Sequence, residues 1–412
     1  MKAGSLPALE PQYTQMDFMT GPEFGNTRSC PILRSELREP RMKRITILII
    51  ALLALGKPLA AAGAQIAEPV VLPSQMCRGY FFVPVTLEVR DGETADERTL
   101  WFLYDTGASA SFVDPDSVER VSGQRLARGV RANFGVSTIG DLRLIGLRAR
   151  IRDLDHLSIA LGREIDGILE FDAFSAVLLT LDYANSEMRI VSGELPRADG
   201  ETVFSSRGPD TRPWLQVGFP TGSRRLLIDS GAALSPIILR NIHRYDTVRP
   251  PRATGAAVRF SEVERRSSAR MSGSLWIGGH ELEQPVIQST PETEILGGQA
   301  MRHFSWTFDQ RNDRVRVTRN DPDTPITFEP MVTHGMVLVP EGDGMRVATV
   351  IADTPAFDAG VESGDFITHF NGTQMRTRSC EMGGEPPARL DLSLIRDGET
   401  LQMTLELYAL VD

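Results

Sequence analysis

Lysine is absent beyond Lys57, and arginine supplies every permanent positive charge from there on. That excludes Schiff-base and serine–lysine chemistry from the larger part of the chain. Cysteine is almost as scarce. Cys77 and Cys380 are the only two beyond residue 64, and a disulfide between them and two separate buried thiols both fit the sequence. The six histidines, His156, His243, His280, His303, His334 and His369, stand apart and form no metal-ligand spacing. No Gly-x-Ser-x-Gly elbow occurs. No metal and no cofactor are therefore expected. Basic charge is also in the minority. Residues 1–64 hold 8 of the 44 basic and 5 of the 54 acidic residues, leaving 36 against 49, a net charge of −13 beyond residue 64. Such a balance argues against nucleic acid or an anionic membrane as partner.

What is present begins with a targeting pattern. Arg41, Lys43 and Arg44 precede an apolar run from Ile45 to Leu55, and Ala62-Gly63-Ala64 offers a small-residue cleavage site before Gln65. Basic, apolar and small segments in that order describe a secretory signal over 42–64. The run falls short of the ~20 residues that span a bilayer, so no stable membrane span is expected after cleavage. Residues 1–41 read as an upstream extension. The expectation is an exported protein, periplasmic or secreted.

An internal repeat organises the chain from residue 78 to residue 320. Leu100 to Tyr104 is an apolar strand running into Asp105-Thr106-Gly107-Ala108. Leu226-Leu227-Ile228 runs likewise into Asp229-Ser230-Gly231-Ala232. Downstream come Gly167-Ile168-Leu169 and Glu294-Ile295-Leu296-Gly297. Fourteen residues past Ile168 and Ile295 stand Asp182 and Asp309, which read as turn residues. Each precedes a short strand, Met188-Arg189-Ile190 and Val315-Arg316-Val317. Four features recurring in order predict two related lobes, 78–195 and 202–320, rich in strands and turns.

A strand ending in aspartate, a hydroxyl residue and glycine makes a tight loop that can present a carboxylate at a sheet end. Two carboxylates placed face to face cannot both ionise cheaply, so they share a proton and act as base and acid together. Thr106 and Ser230 would hydrogen-bond across to the opposite loop, and Gly107 and Gly231 would permit close backbone approach.

The run Phe102 to Ser109, the run Leu227 to Ala232, Asp166-Gly167-Ile168-Leu169 and Ile295-Leu296-Gly297 together resemble the aspartic protease superfamily over about 78–320. The resemblance implies a bilobal, mainly β fold with duplicated barrel-like lobes. It implies an endopeptidase acting on protein or peptide substrates, with Asp105 and Asp229 as the catalytic pair. Thr106, Gly107, Ser109, Ser230 and Gly231 would support the catalytic loops, with Ser109 bonding the outer oxygen of Asp105. A flap is expected at Val130 to Gly140, centred on Phe134 and Gly135; Ala253 to Ser274 is the candidate for the second, and an ordinary surface loop fits it better. Glu170, where the family usually has glycine, and Ala233, opposite Ser109, depart from the pattern.

After a linker from Asp321 to Pro330, residues 333–412 change character. Asp353-Thr354-Pro355-Ala356, Ala359-Gly360-Val361, Ser363-Gly364-Asp365 and Asn371-Gly372 resemble a PDZ domain of the bacterial protease kind, a small α/β module. Such modules add a peptide strand to a sheet edge and hold its C-terminal carboxylate on backbone N–H groups. Thr333 to Met336 is the candidate carboxylate loop, with Gly335 and Met336 as its candidate residues, and a purely structural module also fits. Two other functions share these motifs: a catalytically inactive peptide-binding relative, and a scaffold acting through its PDZ domain.

Overall fold

The computed structural model describes residues 66–88, 94–259, 262–319, 321–375 and 388–412. The extension, the signal segment and Cys380 lie outside them. Cys77 is disulfide-bonded. Among the described residues no helix is long and apolar enough to cross a membrane.

The fold is mainly β, in four larger sheets. The first has nine strands. At its centre Tyr80–Leu87 pairs antiparallel with Thr99–Asp105, from Phe81 opposite Tyr104 to Thr86 opposite Thr99. Alternation with a period of two sends Phe81, Val83 and Val85 into one hydrophobic cluster and Tyr80 and Phe82 into another. The strand is apolar on both faces because both are covered. Gly167–Glu170 then lies parallel to Thr99–Asp105 and antiparallel to Ser111–Val113, so it fills the gap between the two strands flanking the Asp105 loop.

The second sheet, also nine-stranded, has the same local arrangement. Trp214–Phe219 pairs antiparallel with Gly222–Ile228. Ile295–Leu296 lies parallel to Gly222–Ile228 and antiparallel to Ile237–Arg240. Each aspartate strand thus carries one hairpin neighbour and one parallel insert.

A third, six-stranded sheet ties these regions together. Its middle pair is Leu178–Asp182 against Ser305–Asp309, with Leu179 opposite Phe308. Val70–Leu72 forms one edge and Val203–Ser205 the other. Asp182 and Asp309 close matching turns, accepting hydrogen bonds from Asn185 and Asn312. One large apolar cluster runs through all three sheets, from Phe81 to Trp306.

The fourth sheet orders Met336–Glu341, Gly344–Val350, Phe366–Phe370, Arg389–Arg396 and Glu399–Glu406, with a short helix at Pro355–Asp358. Met336–Glu341 is its edge strand. Proline at the first helical position and Gly360 at φ 78° bound the helix.

Candidate active site

The strand Thr99–Asp105 delivers its last residue into a fully buried position, because Leu100, Phe102, Leu103 and Tyr104 are all withdrawn from solvent. The chain then turns sharply, with Ala108 N donating to Asp105 O. The turn aims two N–H groups at the carboxylate: Gly107 N and Ala108 N donate to Asp105 Oδ1 at 2.7 and 3.1 Å. Asp229 directly follows its own strand, 2% exposed, with Ala232 N donating to Asp229 O.

The two loops interlock. Thr106 Oγ1 donates to Ile228 O at 2.7 Å and accepts from Ser230 N at 2.8 Å. Ser230 Oγ donates to Tyr104 O at 3.1 Å and accepts from Thr106 N at 3.0 Å. Each hydroxyl therefore bridges two backbone groups of the opposite loop, four bonds worth about 1 kcal/mol each. Both glycines press against the opposite carboxylate. A Cβ at Gly107 would stand 2.5 Å from Asp229 Oδ1, and one at Gly231 would stand 2.5 Å from Asp105 Cγ. Only a residue without a side chain lets the two carboxyl groups come face to face.

Burial pushes the Asp105 carboxyl up from 3.8 to about 6, against the pull of the Gly107 and Ala108 N–H groups, Asp229 and Arg212. Arg212 is a group that the motifs alone did not single out. It is 7% exposed, its Nη1 donates to Gly107 O at 3.0 Å, and it forms an ion pair with Asp210. Trp214 Nε1 holds the other oxygen of Asp210. A signal was available. Arg212-Pro213-Trp214 opens the strand before the second aspartate strand, just as Arg78-Gly79-Tyr80 opens the strand before the first.

Thr106, Gly107, Ser230 and Gly231 thus sit where the sequence pattern puts them. Ser109 does not bond Asp105. It is exposed, because the loop turns its backbone N–H groups inward and carries the next side chains out. Phe134 and Gly135 do not form a flap tip. They lie midway along one arm of a continuous hairpin: Arg131–Asn133 pairs with Arg148–Ile151 and Val136–Ile139 with Leu142–Ile145 in the same register, Phe134 N donates to Leu147 O and Gly146 N to Gly135 O between them, and the tip is at Gly140 and Asp141. Phe134 lines a cavity of about 740 Å³ with Leu87, Val118 and Leu126 and neither aspartate. A second long hairpin, Arg252–Arg259 with Glu262–Arg270, runs through Ala253 to Ser274. Gly335 and Met336 begin the fourth sheet's edge strand. Gly335 has φ 82°, its N donates to Thr333 Oγ1, and Met336 N donates to His334 Nδ1. Among the described residues, no group of three or more His, Cys, Asp or Glu could hold a metal ion.

No curated protein matches the chain. Among solved structures it is similar to a retropepsin-like aspartic protease from Rickettsia conorii, at 11% identity and a TM-score of 0.22, covering 30% of this chain and 90% of that one. Residues 332–407 match the PDZ domain family. The chain carries a PDZ domain at its fourth sheet.

Proposed function

We propose that this protein is an exported aspartic endopeptidase, acting in the periplasm or outside the cell, with Asp105 and Asp229 as its catalytic pair. One observation carries the reading: each carboxyl group seats against the glycine of the opposite loop, and the two loops are bolted together by Thr106 and Ser230. Two carboxylates so placed share one proton up to about pH 6, the value to which burial raises Asp105.

The shared proton sets the chemistry. The ionised carboxylate takes a proton from a water lying between the pair, and the water oxygen bonds to the peptide carbonyl carbon. The protonated carboxyl donates to the carbonyl oxygen as its negative charge develops. As the tetrahedral adduct collapses, the C–N bond breaks and the nitrogen leaves with a proton returned from the pair. The 78–195 and 202–320 segments act as the two lobes, and the hairpins 131–151 and Arg252–Arg259 with Glu262–Arg270 are long enough to close over a bound peptide. The PDZ domain supplies a peptide-binding surface.

The test is hydrolysis of denatured casein between pH 4 and 8 by wild type, Asp105→Asn and Asp229→Asn. Each substitution should lower kcat by at least the 10²–10⁴-fold typical of general acid–base catalysis. A statine-containing peptide should inhibit, and EDTA should not. Substantial turnover by either variant, with unchanged circular dichroism, overturns the assignment.

A further inference from the structure

The seven-residue helix Asp155–Leu161 has its apolar side chains divided between two cores. Leu157 and Leu161, with Leu154 just ahead of them, join the cluster that holds Tyr80, Phe82 and Leu103. That cluster also contains Ala108, whose N–H closes the Asp105 turn, and Ala233, which directly follows the residue that closes the Asp229 turn. Ile159 points elsewhere. It is 4% exposed and belongs to the PDZ core, among Met336, Leu338, Met345 and Phe370. The helix packs on Met336–Glu341, the edge strand to which a PDZ domain adds its peptide.

An apolar side chain from a segment some 175 residues away in sequence is thus buried in the module's core, beside the start of its receiving strand. The loop ahead of that strand has its N–H groups engaged from within, by Thr333 and His334. On the strand's other face, Val337 and Ile351 cluster with Ala253 at the base of the Arg252–Arg270 hairpin, and Arg252 donates to Asp353 O at 3.0 Å. The edge strand is therefore held from the first sheet by a helix and from the second by a hairpin.

We propose that the helix Asp155–Leu161 is the intramolecular occupant of the PDZ receiving edge, with Ile159 standing in for the terminal apolar side chain of a peptide. A peptide with an apolar C-terminus that reaches this edge displaces the helix, and the loss of Leu157 and Leu161 from their cluster loosens both aspartate loops. The regulatory consequence rests on the endopeptidase reading; the structural coupling does not. Linkage makes the effect reciprocal: whatever tightens the aspartate loops also holds the edge closed.

The experiment is amide hydrogen exchange by mass spectrometry on the full chain, comparing wild type, Ile159→Glu and the milder Ile159→Ala. Casein hydrolysis is measured in parallel. Ile159→Glu should speed exchange at least tenfold in three segments: 336–341, 104–112 and 229–236. The Leu178–Asp182 and Ser305–Asp309 strands should keep wild-type rates. Ile159→Ala should move the same three segments less, and kcat/KM at least threefold. Faster exchange confined to the helix and segment 336–341, with the aspartate loops unchanged, overturns the coupling. An unchanged 336–341 segment overturns the occupancy. If Ile159→Glu unfolds the whole chain, the Ile159→Ala pattern decides by the same criteria. Absence of casein hydrolysis in wild type would refute the endopeptidase reading, while the exchange pattern would still decide the coupling.

Discussion

Replacing Asp105 with asparagine should change how the fold responds to pH, in a window set by one carboxyl group. Burial raises that group from 3.8 to about 6. Between those values the native pair keeps a proton that an unfolded aspartate has released. Stability from this source is complete below about pH 3.8 and is lost as pH rises through about 6. A rise of about two units, at about 1.4 kcal/mol each, amounts to about 3 kcal/mol. Asparagine imitates the protonated form: its oxygen can still accept from Gly107 and Ala108 N–H, and it carries no charge to desolvate. The variant should match wild type near pH 4 and exceed it by about 3 kcal/mol at pH 7. Tryptophan fluorescence during urea unfolding is a suitable probe. All four tryptophans, Trp101, Trp214, Trp276 and Trp306, precede the PDZ domain, so the signal reports the sheets that carry the aspartates. The reasoning fails if the two proteins differ by a constant amount from pH 4 to 7, or if wild type gains on the variant as pH rises.

Gly231→Ala should abolish hydrolysis and destabilise the fold by about 1–3 kcal/mol, since the new methyl would overlap the Asp105 carboxyl; urea unfolding and casein turnover read the two effects. Ser109→Ala should leave both limbs of the kcat/KM profile in place, because the hydroxyl is exposed and backbone N–H groups serve Asp105; a shift near one unit would restore a role for it. Arg212→Met removes a positive charge that pulls the Asp105 pKa down, so the alkaline limb should move to higher pH. An unmoved limb, measured alongside unchanged circular dichroism, would show that Arg212 acts on the loop's position alone.

The aspartate loops were legible because their determinants are local. An apolar strand that stops at aspartate, then a hydroxyl residue and glycine, specifies a turn, and recurrence of the whole frame pointed to a partner. The parallel inserts Gly167–Glu170 and Ile295–Leu296 were legible for the same reason. What could not be read depends on non-local choices. The direction of Ser109 is decided by which atoms of the turn face inward. Phe134 and Gly135 fall mid-arm because the hairpin turns further on, at Gly140 and Asp141, a register set by both arms together that no short window encodes. Arg212 reaches Gly107 O across 105 residues of chain, and Ile159 enters a core built from residues beyond 335.

Glu170 shows how a departure from a motif is absorbed. In the second sheet the corresponding place is Gly297, with Gly298 next to it. Their backbone runs so close to Ser235, Pro236 and Ala233 that any side chain would meet a carbonyl oxygen. In the first sheet Glu170 is extended, at φ −68° and ψ 163°, and its N–H finds the hydroxyl of buried Ser111 at 3.1 Å. A side-chain oxygen thus stands where the second sheet offers backbone, and the wider spacing leaves room for a Cβ. The carboxyl group of Glu170 stays half-buried, held above its usual range by that burial and by the neighbouring charge of Asp172. Since Glu170 is in register with Asp105, the first loop carries a second acidic group beside Asp105, while the second loop carries none at that place. The two loops are therefore alike in their hydrogen bonds across the interface and unlike in what supports them from beneath. The face-to-face carboxylates depend on the first property, and the second, together with Arg212, is one source of difference between the two aspartates.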